Sequence, residues 1–103
     1  MAFIVEFAES VKVQLRALSA RERGIVFQAI EEQLVDEPLS VTRNRKPMRP
    51  NSIAPWELRV GSLRIFYEIV AEESDVVRIL AVGRKEGNRL FIAGQEVSLD
   101  END

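Results

Sequence analysis

The stretch from Trp56 to Tyr67, WELRVGSLRIFY, sets arginines where they can handle an anion. Gly61-Ser62 stands between two alternating apolar runs and reads as a two-residue hairpin turn. Such a turn pairs Val60 with Leu63 and, one step outward, sets Arg59 directly opposite Arg64. Opposed residues share a sheet face, and like charges there are destabilising. Glu57, Phe66 and Glu68 fall on the same face. Alternation over 75–83 puts Arg78, Leu80 and Val82 on one side of the next strand, and Arg84 continues that series. The expectation is one positive patch of Arg59, Arg64 and Arg84 beside Phe66. Guanidinium groups gathered this way bind an anion that relieves their repulsion. In the plainer reading, Glu57 and Glu68 neutralise Arg59 and Arg64 on an exposed face.

A second basic set lies upstream. Arg43, Arg45, Lys46 and Arg49 occupy a stretch with no acid between Glu37 and Glu57. They read as phosphate contacts, each adding salt dependence, or else as a solvated loop. Phe66 is the candidate for stacking a base. Trp56, whose parity points inward, reads as a core or edge anchor.

The rest of the composition narrows the chemistry. At 103 residues the chain is one domain, large enough for a single modest core. It has no Cys and no His, which removes disulfides, thiolate metal sites and the usual general acid–base side chain. No metal and no cofactor is expected. No apolar run is long enough to span a membrane, and the N-terminus lacks a signal-peptide pattern. The expectation is a cytoplasmic protein without a membrane partner. The net charge of −3 is unevenly spread. Residues 1–37 carry four bases and seven acids, residues 38–92 ten bases and six acids, and residues 93–103 four acids alone.

The elements that must position these residues follow from periodicity. AFIVEF reads as a strand, with Phe3, Val5 and Phe7 on one face. Val11, Leu15 and Leu18 mark an amphipathic helix. Ser19 and Glu22 form a capping box that starts a second helix, which buries Val26, Ala29, Ile30 and Leu34 and is stopped by Pro38. Residues 37–55 hold all four prolines and read as a long loop. Strands are expected at 56–60, 63–71 and 75–83, then a short C-terminal element over EGNRLFIAG. Trp56, Leu58, Val60, Leu63, Ile65, Tyr67 and Ile69 share the face that must meet the helices. The fold class is α+β: an N-terminal strand, a helical hairpin, then antiparallel strands, with the helices on one face of a small, mostly antiparallel sheet. The domain is expected to span 1–95, and 96–103 to be an acidic, frayed tail.

WELRVGSLRIFYEI followed by VVRILAVGRKEG, behind a helical hairpin, resembles the RelE/ParE toxin superfamily. The resemblance runs over about residues 2–92, and its pattern is aromatic-x-Leu-Arg-x-Gly-x-x-Arg-x-x-Tyr. It implies a toxin of a bacterial type II toxin–antitoxin pair. The RelE branch cleaves mRNA in the ribosomal A site without a metal, and the ParE branch inhibits DNA gyrase. The leading expectation is therefore a ribosome-dependent endoribonuclease that inhibits translation. The alternatives are a non-enzymatic gyrase inhibitor and a catalytically degenerate binding module. The implied partners are a cognate antitoxin, the ribosome and mRNA, or gyrase, with homo-oligomerisation left open.

By the same resemblance, Arg64 matches the strand arginine that contacts the scissile phosphate, and Arg59 a basic position on the preceding strand. Arg84 or Lys85 matches the basic position at the end of the last long strand. The expected catalytic set is thus Arg59, Arg64, Arg84 and Lys85. The expected RNA-binding set is Arg43, Arg45, Lys46, Arg49 and Phe66. Three positions depart from the family pattern. Glu57 stands where lysines are usual. Phe91 stands where a Tyr or His serves proton transfer, so that position is degenerate. Met48 follows Lys46-Pro47 where a related branch has a glutamate.

Overall fold

A computed structural model describes residues 2–99. Strand β1 (Ile4–Phe7) leads into helix α1 (Glu9–Arg16). Ser19 then starts α2 (Ala20–Gln33) through the expected capping box. Its Oγ accepts from the Glu22 N–H at 3.0 Å, and Glu22 Oε1 accepts from the Ser19 N–H at 2.9 Å. Two of the donors that every helix start leaves open are thereby satisfied. Arg23 closes the corner from the other side, donating to the Leu18 carbonyl at 2.7 Å. The helix ends at Gln33, before Pro38 is reached.

Six further strands follow among the described residues: β2 (Arg45–Pro47), β3 (Trp56–Val60), β4 (Leu63–Ile69), β5 (Val76–Glu86), β6 (Arg89–Ile92) and β7 (Gln95–Val97). They pair in the order β2-β3-β4-β5-β6-β7, all antiparallel, and β1 adds to β5 in parallel. The β3–β4 register is the expected one: Val60 faces Leu63 across the turn and Arg59 faces Arg64. Gly61 takes φ 59° at the first turn position, a conformation that favours glycine.

The helices cover one face. Val11, Val26, Ile30 and Leu34 pack on Leu58, Leu63, Ile65, Tyr67, Val77, Ile79 and Val82. The Tyr67 hydroxyl donates to the Pro38 carbonyl at 2.5 Å, tying the chain after α2 to the sheet, and burial raises the phenol's pKa.

Three features differ from the sequence expectation. First, the long loop contains β2. Three residues are too few to show a period, and Pro47 sits where an edge strand tolerates it. Second, the far face of the sheet is not open. Residues 48–54 and β6–β7 fold over it, so that Phe66, Ala54, Ala81 and Leu90 form a second small core with Met48, Ile53 and Leu99 against it. Third, β5 carries a bulge. Phe66 pairs with Ala81 but Tyr67 pairs with Ile79, leaving Leu80 without a partner. One extra residue reverses the side-chain parity of everything after it. The boundary expected at residue 95 meets the start of β7, so Glu96 belongs to a strand rather than a tail. Residues 100–103 of that tail lie outside the described residues. No helix among the described residues is long and apolar enough to cross a membrane.

Candidate functional site

The bulge sorts the expected cationic residues onto two faces. Arg84 lies opposite Leu63, on the helix side, and forms a short ion pair with Glu22 at the start of α2. The expected patch of Arg59, Arg64 and Arg84 is therefore corrected: Arg84 leaves it. The Ser19 backbone N–H and the Arg84 guanidinium hold the Glu22 carboxyl below the usual carboxylate range. Lys85, one residue on, turns to the other side and takes the place that simple alternation gave to Arg84.

Phe91 goes with Arg84. The two are cross-strand partners, and both line a cavity of about 270 Å³ beside Gln14, Leu18 and Gly94. Phe91 thus stands on the opposite side of the sheet from Arg59. Phe66 is also corrected: it is fully buried in the second core, so no base can stack on it. Trp56 packs at the edge of the helix-side core and stacks on Tyr67, with ring centroids 6.0 Å apart.

The upstream basic set divides by the parity of β2. Arg45 lies opposite Leu58, on the helix side, and only 8% of it is exposed. Its Nη1 donates to the Gln33 carbonyl at 2.8 Å and to Gln33 Oε1 at 2.9 Å. Its Nε donates to the Ser40 carbonyl at 3.0 Å. Arg45 thus caps the C-terminus of α2, where carbonyls lack helical partners and the dipole favours a cation. That geometry turns it away from any RNA and corrects its expected role. Lys46 lies opposite Glu57 on the other face. Arg43 and Arg49 are exposed.

What remains together is a cleft of about 750 Å³ on the face away from the helices. Lys46, Arg49, Arg59, Lys85, Glu57 and Asn51 are among its lining residues. One wall is the loop after β2, which Asn51 holds in shape. Its Oδ1 accepts from the N–H groups of Ile53 and Ala54 at 2.7 and 2.9 Å. Its Nδ2 donates to the carbonyls of Arg49 and Ala54 at 2.7 and 2.9 Å. The sequence reading missed this residue. Its signal was the Pro50-Asn51-Ser52 triplet, in which an Asx turn is expected.

The paired arginines meet Glu57, which is 5% exposed. Glu57 Oε1 accepts from Arg59 Nε at 2.9 Å, and Oε2 lies 3.7 Å from Arg64 Nε. The like-charge pair across β3–β4 is thus stabilised from within. Glu68 has another partner: it lies 3.6 Å from Arg78. Burial lowers the Arg64 pKa, Glu57 opposes that shift, and Arg59 reinforces it. Four cleft-lining cations, Lys46, Arg49, Arg59 and Lys85, with one carboxylate among them make a surface suited to a polyanion with closely spaced charges. Among the described residues no cluster of three or more His, Cys, Asp or Glu side chains could hold a metal ion.

The fold and the chain both match known toxins. The RelBE2 toxin–antitoxin complex of Mycobacterium tuberculosis holds a chain 28% identical to this one. The two superpose with a TM-score of 0.69 over 82% of this chain and 100% of the other. A mutant form of E. coli toxin RelE in the free state shares the fold at 23% identity, with a TM-score of 0.63 over 84% of this chain and 86% of that one. No curated protein matches the sequence. The family model for the ParE toxin of the type II toxin–antitoxin system, parDE, matches residues 5–89, which run from β1 through the helical hairpin and the arginine-bearing strands into β6. This chain belongs to that family of type II toxins, within the RelE/ParE superfamily.

Proposed function

We propose that this toxin arrests translation by holding mRNA in the cationic cleft on the ribosome and promoting its cleavage there. The observation that carries the reading is the convergence of Lys46, Arg49, Arg59 and Lys85 on one cleft, with Arg64 behind Arg59. Cleavage by this route has a ribose 2′-OH attack the adjacent phosphate while the 5′-oxygen of the next nucleotide leaves. Negative charge builds on the phosphorane oxygens, and the cations lining the cleft stabilise it more than the starting diester. Arg59 and Lys85 both line the cleft and can meet such a phosphate. Among the described residues Glu57 is the one carboxylate on the cleft lining, and it can take the 2′-OH proton only after leaving Arg59. An antitoxin is the partner that fits a toxin of this kind, as in the mycobacterial complex, and an acidic segment would complement the cleft.

A second reading has two observations in its favour. Phe91 lies on the far side of the sheet, and Glu57 is held by two guanidinium groups. Among the described residues, the cleft's one carboxylate is ion-paired and no His, Tyr or Cys lines it. A stoichiometric inhibitor of DNA gyrase needs no proton-transfer side chain. Expression without a partner protein separates the two readings by isotope incorporation into protein and DNA. The expected result is an early fall in protein synthesis, with mRNA cut on ribosomes, and a loss of potency of about 10²-fold or more for Arg59→Ala. An early fall in DNA synthesis, with gyrase supercoiling blocked in vitro, overturns the first reading in favour of the second.

A further inference from the structure

The contact between Glu57 and the arginine pair is half made. Its Oε1 is hydrogen-bonded to Arg59 at 2.9 Å, whereas its Oε2 stops 3.7 Å short of Arg64 Nε. Arg64 Nε is buried and has no hydrogen-bond partner, although Nη1 of the same side chain donates to the Gly61 and Leu63 carbonyls at 2.8 and 2.9 Å. A buried donor left unpaired is costly, the more so on a charged group. The Arg59 side chain is 45% exposed and that of Arg64 14%. One guanidinium is therefore free to move and the other is fixed. The carboxylate between them has a partner it holds and a second partner less than about 1 Å beyond hydrogen-bond reach.

We propose that Glu57 is an internal ligand of the arginine pair, which a phosphodiester displaces from Arg59 and which is then taken up by Arg64. In the free protein Glu57 fills the seat that an external anion would take. When a phosphate oxygen approaches from the cleft, Arg59 swings to it. The Glu57 carboxylate then closes on Arg64 Nε, so the buried acid keeps a partner and the orphaned donor gains one. A single phosphate offers Arg59 little more than Glu57 already does. A strand whose neighbouring phosphates also meet Lys46, Arg49 and Lys85 shifts the balance. Glu57 thereby sets a threshold that favours a polyanion over isolated phosphates. The proposal rests on reading the cleft as a phosphodiester surface. Glu57 acts in it as a positioning residue.

The test is the affinity of a single-stranded RNA decamer for the intact protein, measured by fluorescence anisotropy. Four proteins form a cycle: the parent, Glu57→Gln, Arg59→Ala and the double variant. Glu9→Gln, which removes an exposed acid on α1, controls for net charge. Glu57→Gln should tighten binding by roughly two- to fivefold, the range for a partly exposed ion pair. The slope of log affinity against log salt should stay the same, since Arg59 meets a phosphate in both bound states, and should fall by about 0.7 in Arg59→Ala, one contact fewer to a single strand. In the Arg59→Ala background the gain should vanish, because no guanidinium remains to be released. A gain that persists there, a gain matched by Glu9→Gln, or no gain at all overturns the proposal. The unmodified protein gives a second readout. On titration with the decamer, the Nε–H resonances of Arg59 and Arg64 should shift together in nitrogen-resolved spectra. A fixed Arg64 signal overturns the hand-over. Translation arrest is read separately on the parent: if arrest fails while the cycle shows the coupling, the target assignment falls and the role of Glu57 stands.

Discussion

Arg45 is the residue on which basic composition and three-dimensional position disagree most, and replacing it by methionine separates them. Methionine keeps most of the stem volume, so packing against Leu58 changes little. What is lost is the guanidinium with its bonds to the Ser40 carbonyl, the Gln33 carbonyl and Gln33 Oε1. The Gln33 amide is partly exposed and can turn to water. The two backbone carbonyls lose a charged donor, at about 1.5–2 kcal/mol each. Relief from burying a cation offsets part of this, which leaves a net loss of about 2–3 kcal/mol. For a domain near 100 residues that lowers the melting temperature by roughly 10–20 °C. Thermal unfolding followed by circular dichroism measures it, and the RNA decamer titration supplies the contrast. Arg45→Met should leave the salt slope of binding unchanged, and Arg43→Ala, on an exposed side chain, should leave stability within about 0.5 kcal/mol. If Arg45→Met melts within about 3 °C of the parent while its decamer affinity and salt slope fall, the guanidinium faces the nucleic acid and the capping argument is wrong.

Gly83→Ala should destabilise by about 1–3 kcal/mol, because its Cβ would stand 2.5 Å from the Phe91 carbonyl oxygen and 2.8 Å from Ile92 Cγ1; hydrogen exchange should show the loss first at the amides of β6. Phe91→Tyr should leave RNA cleavage unchanged within about twofold, since the new hydroxyl would lie on the helix side with Arg84; single-turnover cleavage on programmed ribosomes is the assay, and a gain of tenfold would place Phe91 in the reaction. Ser19→Ala should cost about 1 kcal/mol by removing the α2 cap, read from urea unfolding. The Glu22 carboxyl is depressed in the folded protein, so its stabilisation is present above the unfolded value of 4.5 and is lost as the pH falls through the lower folded value. Glu22→Gln should accordingly flatten the acid limb of the stability–pH curve, and an unchanged limb would rule out the Ser19–Glu22–Arg84 link as its source.

Most of the framework was legible because it is local. The Ser19 capping box needs only residues three apart, and the hairpin register needs only a Gly-Ser turn and its flanks. Both are seen as expected. The helix-facing set of β3 and β4 followed from the same parity and is the set that packs on α1 and α2. The β2 strand was hidden because its pairing energy comes from β3, with partners nine to thirteen residues away, and its inward residue is an arginine. Phe66 looked exposed because its own strand says nothing about what covers it. Met48, Ile53 and Leu90 cover it, and they arrive from loops and strands on either side in the chain.

The order of elements, the capped helical hairpin, the opposition of Arg59 and Arg64, and the likeness to RelE/ParE toxins were all legible along the chain. Each of these is carried by short-range pattern, where steric preference and hydrophobic period act within a few residues. Which cations share the cleft depends on long-range packing. A single unpaired residue, Leu80, reverses the alternation of β5, sends Arg84 to Glu22 and brings Lys85 to Arg59. Side-chain direction in a strand depends on an unbroken count of twos, and a bulge that breaks the count is set by packing against neighbouring strands rather than by the residues that form it.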